Sequence, residues 1–412
     1  MDRLSIIALV LSFSVAAESQ ILKSLPTRFN ESIGSWAWLS YDVPSFAVLS
    51  GAFNRSVFDE PSDAQAASPS LIAANQQLNS TDFVAYDEEF FNLIGPNAKV
   101  EHVQTLAFQS HEAPCVLPGT RDLFFVEWGP PGGNEGVHTW QYLLNTTSNT
   151  LHNITTDPPT VNVHGCVAYQ DALYVVTDGG PDETGYLARI DPKTWERTTL
   201  LNNYYEQPFA GFNDLDVDPS GNFYLTDSKA GWFLGSSLTV IQGRGIIPYA
   251  RQTNPSTYFV NGSTMQPKLV QTTTGNANGV AVDPSGRTIY LPDTGVSEFR
   301  PSAKNPFGAR ELWAYDFATS AFGKQLPILT NKRLLNNPIS YFYDGIRVSR
   351  EGWIFCGAGG GVDVISPETG LTLGTIRVGG GENLAVSLAL GHHELWIVGR
   401  GAFGTLVTST SP

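Results

Sequence analysis

The sequence predicts an all-β protein, a six-bladed β-propeller preceded by an N-terminal extension. Three observations support this fold. Six similar turn-and-strand units recur along the chain, no stretch between them has helical periodicity, and the composition suits a turn-rich β protein. Charged residues make up only 15% of the 412 residues, aromatic residues make up 11%, and there are 40 glycines. An average soluble domain has about 25% charged residues.

The clearest units begin at Asn213, Asn278 and Asp344. Segments 213–227 and 278–293 nearly repeat each other, and 344–356 follows the same pattern. In each unit a polar residue opens a short apolar strand, a Pro-Ser-Gly turn or its equivalent follows, and an aromatic-rich strand returns. The turn glycine supplies the positive φ that a tight hairpin needs. Each unit therefore predicts an antiparallel hairpin.

The other three units begin at Glu112, His164 and Asn383. The six units start roughly 40–65 residues apart, and four short strands need roughly 40–50 residues, as in one propeller blade. The two longest intervals leave room for loop insertions, which we expect at 229–265 and 296–310.

Two other fold classes compete with the propeller. A parallel α/β fold needs a helix of 10–15 residues for every crossover, and none is evident between the units. A β-sandwich is harder to exclude, but six similar units favour radial repetition. We expect the propeller to span 83–412, with a short helix near 83–94, and residues 18–82 to form an arm that packs on it or closes it.

The N-terminus reads as a signal peptide over residues 1–17. Arg3 precedes a short apolar stretch, and cleavage is expected after Ala17. That stretch is too short to span a bilayer, and no later stretch is apolar for long enough. Six N-x-S/T sequons agree with a secreted, extracellular glycoprotein. They lie at Asn30, Asn54, Asn79, Asn145, Asn153 and Asn261.

The net charge of -15 and the pI of about 4.8 argue against some partners. Such a surface repels nucleic acid and anionic membranes and attracts cations, although solubility alone explains most of the charge. We therefore expect no nucleic-acid or membrane partner, and a monomer. Cysteine is sparse, and Cys115, Cys166 and Cys356 allow one disulfide with one thiol left over. Cys356 lies in an apolar strand and is expected to be buried.

The first polar residue of each unit carries the predicted chemistry. In a propeller these positions lie at the rim of the central channel. We call them the lead residues: Glu112, His164, Asn213, Asn278, Asp344 and Asn383. Carboxylate and amide oxygens at one rim suit Ca²⁺, whereas zinc would want more His or Cys. Any single lead residue is more often a turn cap than a ligand, so the prediction depends on their equivalent positions.

Several other polar and aromatic residues are given structural roles. Asp218 and Asp283 are expected to cap the turns, while Asp227 and Asp293 are expected to bind backbone within a blade. Five tryptophans are expected to pack the blades. They are Trp128, Trp232, Trp313, Trp353 and Trp396.

The lead units resemble the SMP-30/gluconolactonase/LRE-like family. The residues that carry this resemblance are Asn213-Asp-Leu-Asp-Val-Asp-Pro, Asn278-Gly-Val-Ala-Val-Asp-Pro-Ser-Gly and Asp344-Gly-Ile-Arg-Val. Three further segments, Tyr86-Asp-Glu-Glu-Phe-Phe, His111-Glu-Ala and Leu200-Leu-Asn-Asn-Tyr-Tyr, are similar to those of the fungal lactonohydrolases in that family. The resemblance runs from about residue 83 to the C-terminus.

The resemblance implies a six-bladed propeller that holds one divalent ion, usually Ca²⁺ although another divalent cation is an alternative, and hydrolyses a small lactone. It places metal ligands at Glu112, Asn278 and Asp344. It places a further contact to the ion, water or substrate at Asn213. Two residues depart from the family pattern. His164 stands where the fungal lactonohydrolases tend to have asparagine, and Gly211 stands where the animal branch has a substrate-binding arginine.

These residues suggest a mechanism. A carboxylate beside the ion takes a proton from the attacking water, and Asp344 is the expected base. His164 is expected to shuttle a proton or orient the substrate, with a structural, channel-lining histidine as an equal alternative. Asn213 and Asn383 are further expected substrate contacts, and His111 is expected to support Glu112.

Two other functions stay open on the sequence alone. One is a non-catalytic propeller that binds a sugar or a protein around a structural calcium. The other is a repurposed, strictosidine-synthase-like propeller enzyme of secondary metabolism. The set of Glu112, Asn278 and Asp344 favours the lactonase, because a scaffold has no need of carboxylates at its channel.

Overall fold

A computed structural model describes most of the chain. The described residues are 22–32, 34–42, 69–107, 110–128, 140–180, 183–228, 254–299, 302–305, 307–318, 327–379, 384–400 and 405–408. The predicted signal peptide at 1–17, the lead residue Asn383, Asn54 and Trp232 lie outside this part of the chain. The side chains of His111, Asn79 and Trp128 also lie outside it.

Helices are few and short in the described ranges. They are a 3-10 helix at Thr27–Ser32, α1 (Pro69–Asn79) and α2 (Glu88–Ile94). The Asp87 side chain caps α2 by accepting a 2.9 Å hydrogen bond from the Glu89 amide. The predicted short helix near 83–94 is therefore confirmed. None of these helices is long and apolar enough to cross a membrane.

The strands before the first unit are β1 (Trp36–Trp38), β2 (Phe83–Ala85) and β3 (Lys99–His102). Sheet 1 follows, with β4 (Ser110–Val116), β5 (Asp122–Trp128), β6 (Trp140–Asn145) and β7 (Thr150–Ile154). Sheet 2 contains β8 (Val163–Tyr169), β9 (Ala172–Thr177), β10 (Leu187–Ile190) and β11 (Arg197–Leu201). Sheet 3 contains β12 (Phe212–Val217), β13 (Phe223–Asp227), β14 (Ser256–Val260) and β15 (Pro267–Thr272).

Sheet 4 contains β16 (Ala281–Val282) and β17 (Thr288–Pro292), then β20 (Leu312–Ala318) and β21 (Ile328–Asn336), with a separate hairpin of β18 (Ser297–Phe299) and β19 (Ser302–Lys304) between them. Sheet 5 contains β22 (Ile346–Val348), β23 (Ile354–Ala358), β24 (Gly361–Ile365) and β25 (Thr372–Arg377), and β2 and β1 extend it to six strands. Sheet 6 contains β26 (Leu384–Leu390), β27 (Glu394–Arg400) and β28 (Thr405–Thr408), with β3 at its outer edge.

The sheets are arranged as a β-propeller. The first strands, β4, β8, β12, β16, β22 and β26, contact one another in a closed ring. Each is followed in its sheet by an antiparallel partner, as the hairpin units predict. Five of the sheets have the expected four strands, and sheet 5 departs from that pattern with six.

Apolar clusters fill the space between neighbouring sheets. In β5, Phe124 packs toward sheet 2 with Val175, whereas Phe125 packs toward sheet 6 with Trp396. Successive residues of a strand point to opposite faces, and both faces of each sheet are covered by a neighbour. This explains why the strands read as continuous apolar runs rather than as an alternating pattern.

Sheet 6 combines a strand that precedes the first unit with the last strands of the described chain. Residues Lys99–His102 of β3 pair with Thr405–Thr408 of β28 in an antiparallel register. The ring is thus closed by residues just before the first unit, rather than by the predicted arm at 18–82.

The N-terminal residues extend sheet 5 instead. β1 pairs in parallel with β2, which pairs with β25. Trp36 is fully buried and stacks on Phe83 and Phe91, with ring centroids 4.6 and 5.3 Å apart. The buried guanidinium of Arg377 donates to the backbone carbonyls of Leu78 and Thr81 at the end of α1. The arm therefore packs on the outer edge of one sheet.

The predicted loop insertions were only partly right. The interval 229–265 contains β14, a regular third strand of sheet 3, and 296–310 contains the β18–β19 hairpin. Residues 229–253 of the first interval lie outside the described part of the chain. Composition alone did not reveal the short strands in these intervals, because strand pairing depends on partners distant in sequence.

The cysteines follow the prediction of one bridge. Cys115 and Cys166 form a disulfide with a Cα–Cα distance of 5.9 Å, which joins β4 of sheet 1 to β8 of sheet 2. Cys356 is free and buried in β23. Among the tryptophans, Trp396 is buried, and Trp313 and Trp353 pack against the clusters between sheets, as expected.

Candidate functional site

Five of the lead residues lie in the described part of the chain, at the same end of the ring of first strands. Glu112, His164 and Asn213 lie within β4, β8 and β12, and Asn278 and Asp344 lie just before β16 and β22. Each of the five precedes the hairpin turn of its sheet, so the topology places them on one face of the propeller. His164, Asn278 and Asp344 are buried, whereas Glu112 and Asn213 are partly exposed.

The glycine after three of the lead residues has a packing role. A Cβ at Gly165 would lie 2.9 Å from the Cα of Asp214, and one at Gly279 would lie 2.4 Å from the carbonyl oxygen of Asp344. A Cβ at Gly345 would lie 2.8 Å from the Cα of Ser387. These glycines let neighbouring first strands approach closely, and none of the three has a positive φ. The turn-cap explanation of these lead residues is therefore not needed.

Asn278 has the side chain that best fits a ligand. It is 2% exposed, and its Nδ2 lies 3.4 Å from the Thr294 hydroxyl. Its backbone carbonyl accepts from the Thr226 hydroxyl. Its Oδ1 is buried and has no hydrogen-bond partner among the described residues. A buried amide oxygen without a donor costs free energy, so it is an acceptor available for a cation or a bound molecule.

The position of Asp344 is fixed from both sides. Its amide donates to the carbonyl of Gly357 at 2.9 Å. The preceding Tyr343 is buried, and its hydroxyl lies 2.7 Å from Asn336 Oδ1 and 3.2 Å from Asp363 Oδ2. The backbone that presents the Asp344 carboxyl is thus anchored to sheet 5 through Gly357 and Asp363 and to β21 of sheet 4 through Asn336.

Within the described ranges, no three His, Cys, Asp or Glu side chains are close enough together to hold a metal ion by themselves. The predicted ligand set differs from such a group because it includes two amide side chains, Asn213 and Asn278. The orphaned oxygen of Asn278 and the carboxylates of Glu112 and Asp344 are the type of donor that Ca²⁺ prefers.

An arginine below the lead residues escaped the sequence analysis. Arg347 Nη1 donates to Asp214 Oδ2 at 3.0 Å, and Nη2 donates to Asp214 Oδ1 at 3.3 Å. Nη2 also lies 3.4 Å from the carbonyl oxygen of Cys166. This one side chain therefore joins β22 to β12 and β8, first strands that are not all neighbours in the ring.

The charges around Arg347 shift its pKa and that of Asp216. Burial lowers the pKa of Arg347, but the carboxylates of Asp214, Asp216 and Glu112 raise it by more. Burial raises the pKa of Asp216 to about 6, against the opposing effects of Arg347 and of the backbone amides of Val282 and Val217. The Val282 amide donates to Asp216 at 2.7 Å and so ties sheet 3 to sheet 4.

A sequence signal for this network exists in retrospect. Sheet 3 has Asp214 where three other units have glycine after the lead residue. A carboxylate at a buried position that is glycine in the other units needs a partner of opposite charge. Arg347 is that partner.

His164 has an acidic neighbour that the sequence analysis missed. Its Nε2 lies 3.2 Å from Oδ2 of Asp178, and the two side chains are 10% and 4% exposed. Asp178 directly follows β9, the strand that pairs with β8.

The remaining acidic residues have the expected structural roles. Asp218 accepts from the amides of Ser220 and Asn222, and Asp283 accepts from the amide of Thr288, so both cap their turns. The other two bind backbone within their sheets. Asp227 accepts from the Gly211 amide at 2.8 Å, and Asp293 accepts from the Asn276 amide at 2.9 Å.

The backbone conformation at Gly211 explains why this position departs from the arginine of the family pattern. Its φ is 147°, a conformation that favours glycine, and its amide is bound by Asp227. An arginine at this position would be strained in this backbone.

Comparison with known proteins gives consistent results. Residues 112–398 match the family model described as the SMP-30/Gluconolactonase/LRE-like region. Lactonohydrolase oryL of Aspergillus oryzae is 29% identical over 388 residues, which cover 86% of this chain and 81% of that protein. Lactonohydrolase oryH of the same fungus is 26% identical, with coverage of 79% and 80%.

Among solved structures, a gluconolactonase from Xanthomonas campestris superposes with a TM-score of 0.60 at 19% identity. The match covers 79% of this chain and 94% of that one. At this identity the likeness supports the fold alone.

Proposed function

Because the chain belongs to the SMP-30/gluconolactonase/LRE-like family, we propose that it is a hydrolase that opens a small lactone with the help of a bound divalent cation. The observation that carries the proposal is Asn278, whose buried Oδ1 has no hydrogen-bond donor among the described residues, at the same end of the first strands as the Glu112 and Asp344 carboxylates. The names of the two fungal relatives support the same reaction class.

In this proposal Glu112, Asn278, Asp344 and Asn213 hold the ion, and Ca²⁺ suits their oxygen ligands. When bound, the cation polarises the lactone carbonyl and stabilises the negative charge that develops on its oxygen. Asp344 takes a proton from the attacking water. His164 passes a proton to the oxygen that leaves the ring. Asn213, His164 and Asn383 contact the substrate.

We count sheet 5 as the sixth blade of the propeller, with β1 and β2 added at its outer edge. The support is the closed ring of six first strands and the six apolar clusters, each between two neighbouring sheets. Five of the six sheets have four strands, so a count restricted to four-stranded sheets gives five.

We also propose that the protein is secreted and acts as a monomer. The support for secretion is the signal-peptide pattern at 1–17, the Cys115–Cys166 disulfide and the exposed sequons at Asn30 and Asn153.

The test of the proposed function is a pH-stat assay on a panel of sugar and aromatic lactones. We expect turnover that a chelator abolishes and Ca²⁺ restores. Asp344→Asn should lower kcat at least 100-fold with an unchanged circular-dichroism spectrum, because it removes the base and replaces a charged ligand with a neutral amide. The control is Asp283→Asn, a partly exposed turn carboxylate at the opposite end of sheet 4, which should retain wild-type turnover.

Two outcomes would contradict the proposal in different ways. Full activity of Asp344→Asn would remove Asp344 as the base. A protein that binds calcium but opens no lactone in the panel would favour the non-catalytic alternative, in which the ion is structural.

A further inference from the structure

The pair formed by His164 and Asp178 stands at the proposed site but is not explained by the metal ligands. Both side chains are buried, and His164 Nε2 lies 3.2 Å from Asp178 Oδ2. A carboxylate beside an imidazole orients the ring and compensates its positive charge while it carries a second proton. Two roles are open to Asp178. It can orient His164, or it can bind backbone amides as Asp227 and Asp293 do at the ends of their strands.

The strand register answers this question. The residue before each lead residue pairs with Thr177 in sheet 2, Asp227 in sheet 3 and Asp293 in sheet 4. These three residues are therefore equivalent. Asp178 is equivalent to the residue after each of the other two, Ser228 and Thr294.

Backbone hydrogen bonds give the same alignment. The amides of Asp178, Ser228 and Thr294 each donate to the carbonyl two residues before the lead residue, at 3.2, 2.9 and 3.0 Å. In sheet 4 this position faces the lead residue, because the Thr294 hydroxyl lies 3.4 Å from Asn278 Nδ2. Asp178 stands in the same relation to His164.

The backbone role belongs to the preceding residue. Asp227 and Asp293 bind main-chain amides with their carboxylates. In sheet 2 the equivalent Thr177 does so with its hydroxyl, which lies 3.4 Å from the amides of Gly179 and Tyr186. Sheet 2 thus has a carboxylate, Asp178, where sheets 3 and 4 have the hydroxyl residues Ser228 and Thr294. This carboxylate lies beside His164.

We infer that Asp178 is a positioning residue that holds His164 as the proton donor to the leaving oxygen of the lactone. This inference rests on the proposed function. The water oxygen bonds to the carbonyl carbon and its proton goes to Asp344. The ring C–O bond then breaks, and its electron pair takes the proton from the His164 imidazolium to form the hydroxyl of the product. Proton transfer from Asp344 to His164 through solvent restores both groups, and the new carboxylic acid loses its proton to solvent.

The leaving group provides a test that a merely structural role would not pass. A phenolate has a pKa of about 10, like tyrosine, and leaves without help, whereas a sugar alkoxide is far more basic and needs a proton. We compare D-glucono-1,5-lactone, with an alkoxide leaving group, and 3,4-dihydrocoumarin, with a phenolate. Asp178→Asn should lower kcat about 100-fold on the first and less than about 5-fold on the second, with KM changed less than about 3-fold.

Four further variants complete the experiment. His164→Gln should give the same contrast between substrates, and the double variant should be no worse than His164→Gln, since residues that act as a unit are not additive. Asp178→Glu should recover part of the loss. Asp171→Asn, an exposed carboxylate at the opposite end of sheet 2, should behave as the wild type.

The outcomes separate this inference from the function on which it rests. Equal losses on both substrates, or no loss in Asp178→Asn and His164→Gln, would overturn the inference while the lactonase stands. Absence of wild-type turnover on both lactones would overturn the proposed function and the inference together. His164→Gln decides the matter if Asp178→Asn does not fold.

Discussion

At the residue scale, Asp363 shows how this protein supports a functional residue with a buried charge. It is 2% exposed in β24, and its carboxylate accepts from the Thr375 hydroxyl at 2.6 Å and from the Tyr343 hydroxyl at 3.2 Å. Burial raises the pKa of Asp363 to about 6, against the opposing effect of these hydrogen bonds. The same bonds hold Tyr343, the residue before Asp344.

This shift predicts a pH dependence of stability. The folded state binds the Asp363 proton more tightly than the unfolded state, so the free energy of unfolding falls as the pH rises from about 4 to about 6. A shift of this size corresponds to about 3 kcal/mol. Asp363→Asn should therefore give a flatter profile of the urea midpoint over this range.

Asp216 is the matched comparison, because burial raises its pKa to about 6 as well. It should maintain a residual slope in Asp363→Asn. A profile as steep as that of the wild type would show that Asp363 is not protonated preferentially in the folded state.

The residues predicted from the sequence and those missed differ in a physical way. Glu112, Asn278 and Asp344 are predicted as site residues because they repeat at one position of a local hairpin. Asp178 and Arg347 act through partners on another strand, so their meaning depends on register and on contacts across the ring. A single sequence contains neither.

At the element scale, the first strands form a ring that is tied together just below the lead residues. The Cys115–Cys166 disulfide joins β4 and β8, and Arg347 joins β22 to β12 and β8. The residues that make these ties are Cys115, Cys166, Asp214 and Arg347, and each lies one to three residues after a lead residue. The ring is thus fixed in the layer beneath the proposed site.

This arrangement predicts a large effect of Arg347→Met. The substitution leaves the buried carboxylate of Asp214 and the partly buried carboxylate of Asp216 without their cation, so we expect a loss of about 3–5 kcal/mol in the free energy of unfolding. Urea unfolding measures it.

The control is Arg333→Met, since Arg333 also pairs with a carboxylate, Asp316, at 2.8 Å, but both side chains are more than one third exposed. Exposed pairs are worth at most about 1 kcal/mol. Equal losses in the two variants would mean that the cross-ring ion pair does not stabilise the fold. Adding Asp214→Asn to Arg347→Met should recover part of the loss.

The hairpins were predictable because their turns carry local sequence signals. The strands β1, β2 and β3 were not predictable in this way. β2 joins sheet 5 and β3 joins sheet 6 through pairings with strands hundreds of residues away, and β1 joins sheet 5 through its pairing with β2. Nothing in the segments 36–38 or 99–102 marks them as strands of a particular sheet.

At the scale of the whole molecule, the proposal of secretion can be tested through three features. They are the signal-peptide pattern at the N-terminus, the disulfide and the sequons. Asn30 and Asn153 are exposed, whereas the side-chain carbonyls of Asn145 and Asn261 accept from turn amides, which gives them a structural role. Glycans are therefore expected first at Asn30 and Asn153.

Expression of the full chain in a eukaryotic secretory host tests this set. We expect protein in the medium that begins at Glu18, contains the Cys115–Cys166 bridge and loses mass on treatment with an N-glycanase. Mass spectrometry reports all three. Intact, unglycosylated protein retained in the cells would contradict secretion, and Asn30→Gln with Asn153→Gln identifies the sites.

The pairing of β3 with β28 has a consequence for biosynthesis. Earlier sheets can form one after another as the chain leaves the ribosome, because their strands are consecutive. The last sheet needs residues 99–102 and 405–408 together, so the barrier to folding includes the closure of a loop of about 300 residues. Until then the first blade has an uncovered apolar face. A chaperone that shields that face would have most effect late in synthesis, when nearly the whole chain has been made but β28 has not yet paired with β3.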